Sequence, residues 1–224
     1  MSLTTIKRQI VSCQDCPRLR AYCARVARQK RAAFRDDAYW GRPVPGFGDR
    51  RARVLVLGLA PAAHGANRTG RVFTGDNSAN FLMRAMHDTG FANIPTSQHR
   101  KDGLKLTDAY ISAVVRCAPP ENKPTPQEIR NCQPHLEAEL AALTRVRVVV
   151  SLGRVAFDSY WRFMANLGVK PRPRPPFGHG LVFQIPERPS LVVSYHPSQQ
   201  NTNTGKLTPR MLAEAFTKAR KLLD

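Results

Sequence analysis

Four stretches of the chain hold side chains able to do chemistry. Cys13 and Cys16 form a C-x-x-C pair, and Cys117 and Cys132 stand far along the chain with 14 residues between them. Thiolates gathered from two places suit a structural zinc ion or an iron–sulfur cluster. The second pair is spaced too widely for a zinc knuckle, and the bland alternative is a set of buried, inert thiols. Cys23 is the odd one out. The second stretch is Leu55 to Asp76, LVLGLAPAAHGANRTGRVFTGD, an apolar run that empties into small residues. The third, VVRCAPPENKPTP, carries Asn122 and Lys123 just after Cys117. The fourth is His196-Pro197-Ser198 with the polar run Gln199, Gln200, Asn201, Thr202, Asn203 behind it.

A strand that ends in a small-residue loop is where an α/β protein lets a ligand reach its backbone. Gly65 and Gly70 have the spacing of a phosphate-binding loop. However, Arg71 stands where that motif needs Lys, and Val72 where it needs Ser or Thr for magnesium. No G-x-G-x-x-G follows the strand either, so the nucleotide-cofactor reading fails.

The elements that must position these stretches follow from periodicity. Val/Leu-rich runs predict buried strands over Arg53–Leu59, Asp108–Val115, Val146–Leu152 and Leu191–Tyr195, with a short one over Leu181–Ile185. Between them, helices are predicted over Asn77–Thr89, Glu128–Leu143 and Arg154–Asn166, and Thr208–Leu223 closes the chain. Residues 3–35 read as basic helix. Residues 36–50, 92–106, 118–126 and 168–180 read as loop, the third and last because of their prolines. Strands alternating with helices at this spacing give a parallel sheet with helices on both faces. No repeat and no second domain is evident; residues 1–224 read as one domain with the cysteine-bearing N-terminal helices as a flap.

The 224 residues hold 35 Lys and Arg against 16 Asp and Glu, a formal net charge of +19. An enzyme of small neutral metabolites gains little from such a charge. A polyanion-binding protein gains long-range attraction and phosphate contacts. The N-terminus lacks an apolar signal segment, and Val54–Ala63, the longest apolar run, is too short to span a bilayer. The expectation is an intracellular, cytoplasmic protein in which five cysteines point to ligands or thiols rather than disulfides.

Taken in order, C-x-x-C, GLAPAAHGANRTGRVFTGD, VVRCAPPENKPTP, a fourth Cys and SYHPS resemble the iron–sulfur uracil-DNA glycosylases, specifically the broad-specificity type called family 5. The resemblance runs from Cys13 to Gly205. It implies a three-layer α/β/α sandwich around a four-stranded parallel sheet. It also implies a structural [4Fe–4S] cluster on Cys13, Cys16, Cys117 and Cys132, since hydrolysis of an N-glycosidic bond moves no electrons. The substrate would be double- or single-stranded DNA with a deaminated or damaged base, met by a monomer.

Residue chemistry suggests the rest of the site, with Phe73 either a stacking face or a core residue at the foot of a helix, and the resemblance adds the role of His196. A flipped base would meet the backbone of Gly58, Leu59, Ala60, Pro61 and Ala62 and stack on Phe73, with His64 nearby. His196 would stabilise negative charge on the departing base. The first loop contains no acid: Ala63 stands where the related family 4 has Glu, and Ala113 where it has an Asn that reads uracil. That departure fits a looser pocket. Asp76, the nearest remaining carboxylate, is the candidate for positioning water, although the same residue is a good helix N-cap. Asn122 is the candidate polar reader of base or water, and His179 a weaker one. Asn67, Arg68, Arg71, Lys123, Ser198, Gln199, Gln200 and Asn201 are the candidate DNA contacts, and Lys170–Pro176 a candidate track for the backbone. A lyase activity is not expected, since the one lysine in these motifs, Lys123, is assigned to phosphate. The rival readings are a strictly uracil-specific family 4 enzyme and a non-catalytic iron–sulfur nucleic-acid-binding module.

Overall fold

A computed structural model describes all residues from Met1 to Asp224. Its sheet is built from β1 (Phe47–Gly48), β2 (Val54–Gly58), β3 (Ala109–Ala113), β4 (Val148–Leu152), β5 (Val182–Phe183) and β6 (Ser190–Ser194), in the order β1-β3-β2-β4-β6-β5. The inner four strands are parallel, as the sequence predicts, and the two-residue strands at either edge are antiparallel. β1 lies in a segment read as loop: two residues among prolines and glycines show no alternation to read. The predicted Leu181–Ile185 strand contracts to Val182–Phe183.

The helices are α1 (Leu3–Ser12), α2 (Pro17–Gln29), α3 (Ala66–Thr69), α4 (Asn77–Asp88), α5 (Pro126–Ala142), α6 (Arg154–Asn166), α7 (Gln199–Asn203) and α8 (Pro209–Lys221). The predicted basic helix over 3–35 breaks at Cys13, which is extended, and resumes at Pro17. Proline suits a first helical turn because its missing N–H would be unpaired there anyway. α5 begins with a capping box, Thr125 and Glu128 each satisfying the other's backbone N–H. No helix is long and apolar enough to cross a membrane.

Strand alternation builds three layers. Val54, Val56, Ile111, Val150 and Val192 face α4 and α8, while Leu55, Leu57, Tyr110, Val149 and Val193 face α5, α6 and the N-terminal helices. Both faces are covered, so β2, β3 and β4 are buried throughout and mostly apolar, with only Ser112 of β3 and Ser151 of β4 polar. Each fully buried Val, Leu or Ile contributes about 1.5–3 kcal/mol by leaving water.

One buried carboxylate joins parts the sheet alone does not. Glu139 of α5 is fully buried and accepts from Ser112 Oγ (2.6 Å), Arg116 Nη2 (2.7 Å), the Gly46 N–H (3.1 Å) and Tyr110 Oη (3.3 Å). It thereby ties α5 to β3 and to the linker that brings in the N-terminal helices. Removing one partner of a buried ion pair leaves the other charge without compensation. Glu139→Gln is therefore expected to destabilise the protein by about 3–5 kcal/mol. Urea unfolding should show this as a lower midpoint with unchanged slope. A loss of only a few tenths of a kcal/mol in unfolding free energy would refute the role.

Candidate active site

In an open parallel sheet a ligand crevice forms at the carboxyl ends of the strands, where neighbouring connections leave in opposite directions. Here that point lies between β2 and β4, because the chain goes from β2 to β3 on one side and then returns to β4 on the other. The loop after β2 occupies the crevice, and the residues that follow β6 close it.

Phe73 forms one wall. Its ring lies so close to Gly58, the last residue of β2, that a Cβ there would sit 2.5 Å from Phe73 Cε2. Phe73 holds φ at +46°, which a bulky side chain adopts only at a cost of about 1–3 kcal/mol. Strain of this kind persists where the surroundings over-determine it, and it clusters at working sites. The ring centroid of His196 is 6.1 Å from that of Phe73, tilted by 34°.

His196 is held from three sides. Its Cβ rests against Gly153, whose φ of +90° starts α6; its carbonyl accepts from Asn201 Nδ2 at 2.8 Å; and the buried Pro197 follows it. Neither ring nitrogen has a partner in the protein. Burial holds the imidazole down at about 4, so it is neutral at pH 7. The site thus contains a neutral N–H donor, suited to hydrogen-bond an oxygen that is gaining charge.

Asp76 stands at the start of α4. Oδ1 accepts the Ala79 N–H at 2.9 Å, so the helix-cap reading is correct. Oδ2 points the other way, toward Gly65: a Cβ on that glycine would lie 2.1 Å from it. Capping and a second function therefore do not exclude each other, because each oxygen faces a different neighbour. Burial pushes the carboxyl up, against the pull of the Ala79 and Ser78 N–H groups and of Arg68, which makes it a better base than a free aspartate.

The loop between supplies donors. The backbone N–H groups of Ala60, Ala62, Ala63 and His64 bond to no acceptor in the protein. Leu59, Ala60 and Ala62 are half-buried and Pro61 buried, so the backbone lines the crevice with little side-chain bulk. His64 Nδ1 pairs with Tyr39 Oη at 2.8 Å. Ala113 sits in register with Gly58 at the end of the neighbouring strand and adds only a methyl group there.

Several predicted DNA contacts are corrected. Asn67 is fully buried, and its Nδ2 donates to the carbonyls of Ala63 and Cys23, bracing the loop from inside. Arg71 is 5% exposed and bonds Asp102, Ser97 and Thr74, so it cannot reach a phosphate. Arg68 is paired with Asp37 and donates to the carbonyls of His64 and Gly75. All three read as surface cations or amides because one partner of each, Cys23 for Asn67, Asp37 for Arg68 and Asp102 for Arg71, is remote in sequence. Ser198 caps the unexpected helix α7, and Asn201 braces His196. Gln199, Gln200, Lys123 and Asn122 remain exposed. Asn122 makes no side-chain hydrogen bond, to His196, Asp76 or any other residue, and like Glu121 before it has positive φ. Of the weaker candidates, His179 Nδ1 accepts the Tyr195 N–H and stacks beside that ring. Sequence reasoning missed Gly153 and Tyr39. Gly153 has a legible signal, a glycine between a buried strand and a helix; Tyr39 has none.

All five cysteines are free, and Cys16, Cys117 and Cys132 are buried. The junction of α1 and α2 brings Cys13 and Cys16 to the Cys117–Cys132 segment. Burial pushes Cys13, Cys16 and Cys132 up, the last to about 12, and each is raised further by nearby Cys117. Cys117 is raised by its hydrogen bond to Cys23, then by burial. Thiols in this state become thiolates only beside positive charge. The Arg116 N–H donates to Cys132 Sγ (3.4 Å) and Asn131 Nδ2 to Cys16 Sγ (3.6 Å). Arg116 is 1% exposed, and its Nε and Nη1 have no acceptor. A buried cation with unused donors beside converging thiols fits an anionic thiolate-bound metal group. Cys13 also has Asp15 and His135 close by, their ligand atoms all within 4.8 Å of one another.

Comparison with known proteins agrees with this architecture. The family described as the uracil DNA glycosylase superfamily matches residues 45–220. The Type-5 uracil-DNA glycosylase of Mycobacterium tuberculosis (strain CDC 1551 / Oshkosh) is 48% identical over 222 residues, covering 99% of this chain and 82% of that protein. The Type-5 uracil-DNA glycosylase of Thermus thermophilus is 48% identical over 213 residues, 95% and 94% of the two chains. A Type-4 uracil-DNA glycosylase of Archaeoglobus fulgidus is more distant, 31% identical over 156 residues, 69% of this chain and 61% of that one. With the strand-end crevice, its neutral histidine and this likeness over almost its whole length, the chain belongs to the uracil-DNA glycosylase superfamily, in the type-5 group.

Proposed function

We propose that this protein hydrolyses the N-glycosidic bond of uracil in DNA, and of other deaminated or damaged bases such as hypoxanthine, xanthine and ethenocytosine, leaving an abasic site. The observation that carries the reading is the neutral, unpartnered imidazole of His196 beside Phe73, whose ring in turn lies on Gly58. The target base leaves the stack and lies on Phe73. The free N–H groups of the 60–64 loop bond its edge. His196 donates to the base oxygen that becomes negative as the C1′–N bond breaks. Water held by Asp76 Oδ2 adds to C1′ and gives its proton to the carboxylate, and the base departs as an anion. None of the residues gathered at the crevice is a lysine, so no Schiff base forms and the enzyme is monofunctional. It acts as a monomer on double- or single-stranded DNA. Asn122 reads the base or water once DNA is bound, and Lys123, Gln199 and Gln200 contact the strand.

Breadth of substrate follows from size. Ala63 and Ala113 stand where a uracil-specific pocket would place an acid and an amide, and a pocket lacking polar readers rejects analogues weakly. Cys13, Cys16, Cys117 and Cys132 would hold a [4Fe–4S] cluster, which would join the N-terminal helices to the core and take no part in bond cleavage. Arg116, its charge already paired with Glu139, would offer its unused Nε and Nη1 groups as hydrogen-bond donors.

A duplex carrying one uracil should yield an alkali-labile abasic site on incubation with the holoprotein at low salt. Strand intact after alkali would instead support a non-catalytic binding module, and cleavage confined to uracil would support the narrower family 4 behaviour. Asp76→Asn keeps a cap acceptor but no base; general-base contributions of this kind are about 100-fold or more. Single-turnover hydrolysis of at least some substrates should slow by that order with DNA affinity nearly unchanged, and an unaltered rate would remove Asp76 from water handling. Cys117→Ser should abolish the brown absorbance and lower the melting temperature sharply; a colourless variant that melts like the parent would exclude a structural cluster.

A further inference from the structure

We propose that a cleft separate from the base pocket, between the N-terminal flap and the turn at 98–101, holds the phosphodiester backbone of the strand beside the flipped nucleotide. The inference rests on the functional reading above and adds a docking track that the motifs did not indicate.

The cleft is an open one of about 720 Å³, lined from the 34–38 segment by Phe34 and Asp37, from the end of α3 by Arg68 and Thr69, and from the turn by Arg100 and Lys101. Pockets for small organic ligands are lined mostly by apolar side chains. This one has only two, Phe34 and Ala38, and so suits a polar, extended ligand. Its lining reaches the catalytic segment directly: Arg68 Nη2 donates to the Gly75 carbonyl at 2.9 Å, one residue before Asp76.

Both walls are built structures rather than chance surface. Asp102 Oδ2 accepts the N–H groups of Gln98 (2.8 Å) and His99 (3.2 Å), and Oδ1 that of Leu104, folding 98–104 into a tight turn. The same carboxylate is paired with buried Arg71 at 2.6 Å, and the Gly75 N–H bonds the Ser97 carbonyl, so the turn is anchored to the catalytic loop. The turn presents Arg100 and Lys101 to solvent, and neither has a carboxylate partner. On the flap side, Trp40 packs its indole on Gly70, and the guanidinium groups of Arg100 (4.8 Å) and Arg42 (5.9 Å) both lie near that one ring. Trp40 therefore sets two unpaired arginines at a fixed place relative to the pocket. Asp37 is neutralised by Arg68, leaving Asp36 as the one uncompensated acid among the lining residues. Arginine held in a fixed orientation beside a polar cleft is the usual partner of a phosphate.

Salt dependence of binding tests this without requiring catalysis. Each phosphate neutralised on duplex DNA contributes about 0.9 to the slope of log K against log salt concentration. With the holoprotein and an undamaged duplex, followed by fluorescence anisotropy at several salt concentrations, Arg100→Glu and Lys101→Glu should each lower the slope by about 0.9. Arg145→Glu makes the same change in net charge at an exposed site near the start of β4, the opposite end of the sheet, and should leave the slope as it is. Equal effects from all three, or no effect from Arg100 and Lys101, would overturn the proposal. If the parent hydrolyses no uracil yet the two variants still lower the slope, the track stands and the catalytic reading falls. If uracil is hydrolysed and the slopes do not move, the reverse holds.

Discussion

The carboxylate of Glu139 is the point on which the architecture turns. It is fully buried and receives four hydrogen bonds, from β3, from the linker at Gly46 and from Arg116. A buried charge without partners is prohibitively costly, so the pieces that satisfy it are held together whether or not their apolar contacts alone would suffice. Arg116 in turn sits one residue before Cys117 and donates its backbone N–H to Cys132. The ion pair thus connects the parallel sheet to the cysteine site, and through Gly46 to the chain that brings the N-terminal helices. Arg18 adds a second tie on the same side, bonding Glu128 at 2.7 and 2.8 Å through both carboxylate oxygens.

On the other side of the sheet the crevice shows the same economy of parts. Phe73 is forced to positive φ and lies on Gly58; Asp76, three residues later, lies on Gly65. Both contacts need a glycine, and both come from one loop folding back on itself. Arg68, Arg71 and Asn67 hold that fold from inside. The loop is therefore stiff before any base arrives, which is how a site made largely of backbone donors keeps them pointed at one place.

Much of this is legible in the sequence because the signals are local. The four central strands are buried almost throughout, so β2, β4 and β6 are dominated by Val and Leu and β3 by small and apolar residues, without the alternation of a half-exposed strand. Arg154–Asn166 is legible to the residue because Gly153 starts it and Gly168 follows. The cysteine pairs, the small-residue loop and His196-Pro197 carry their chemistry in residue type and spacing, and the family likeness follows from their order.

Tertiary structure alone decided what the charged and amide side chains do. Arg71 and Lys101 look alike in a sequence, but one is sealed against Asp102 and the other faces water, because the partner lies 31 residues away and only folding brings it back. Asn67 is sealed in the same way, reaching the Cys23 carbonyl 44 residues away. The double use of Asp76 was equally hidden, since it depends on where each carboxylate oxygen points after Gly65 closes over it. Pattern fixes which residues are buried together, whereas the direction of a single polar atom is set by contacts between segments far apart in the chain.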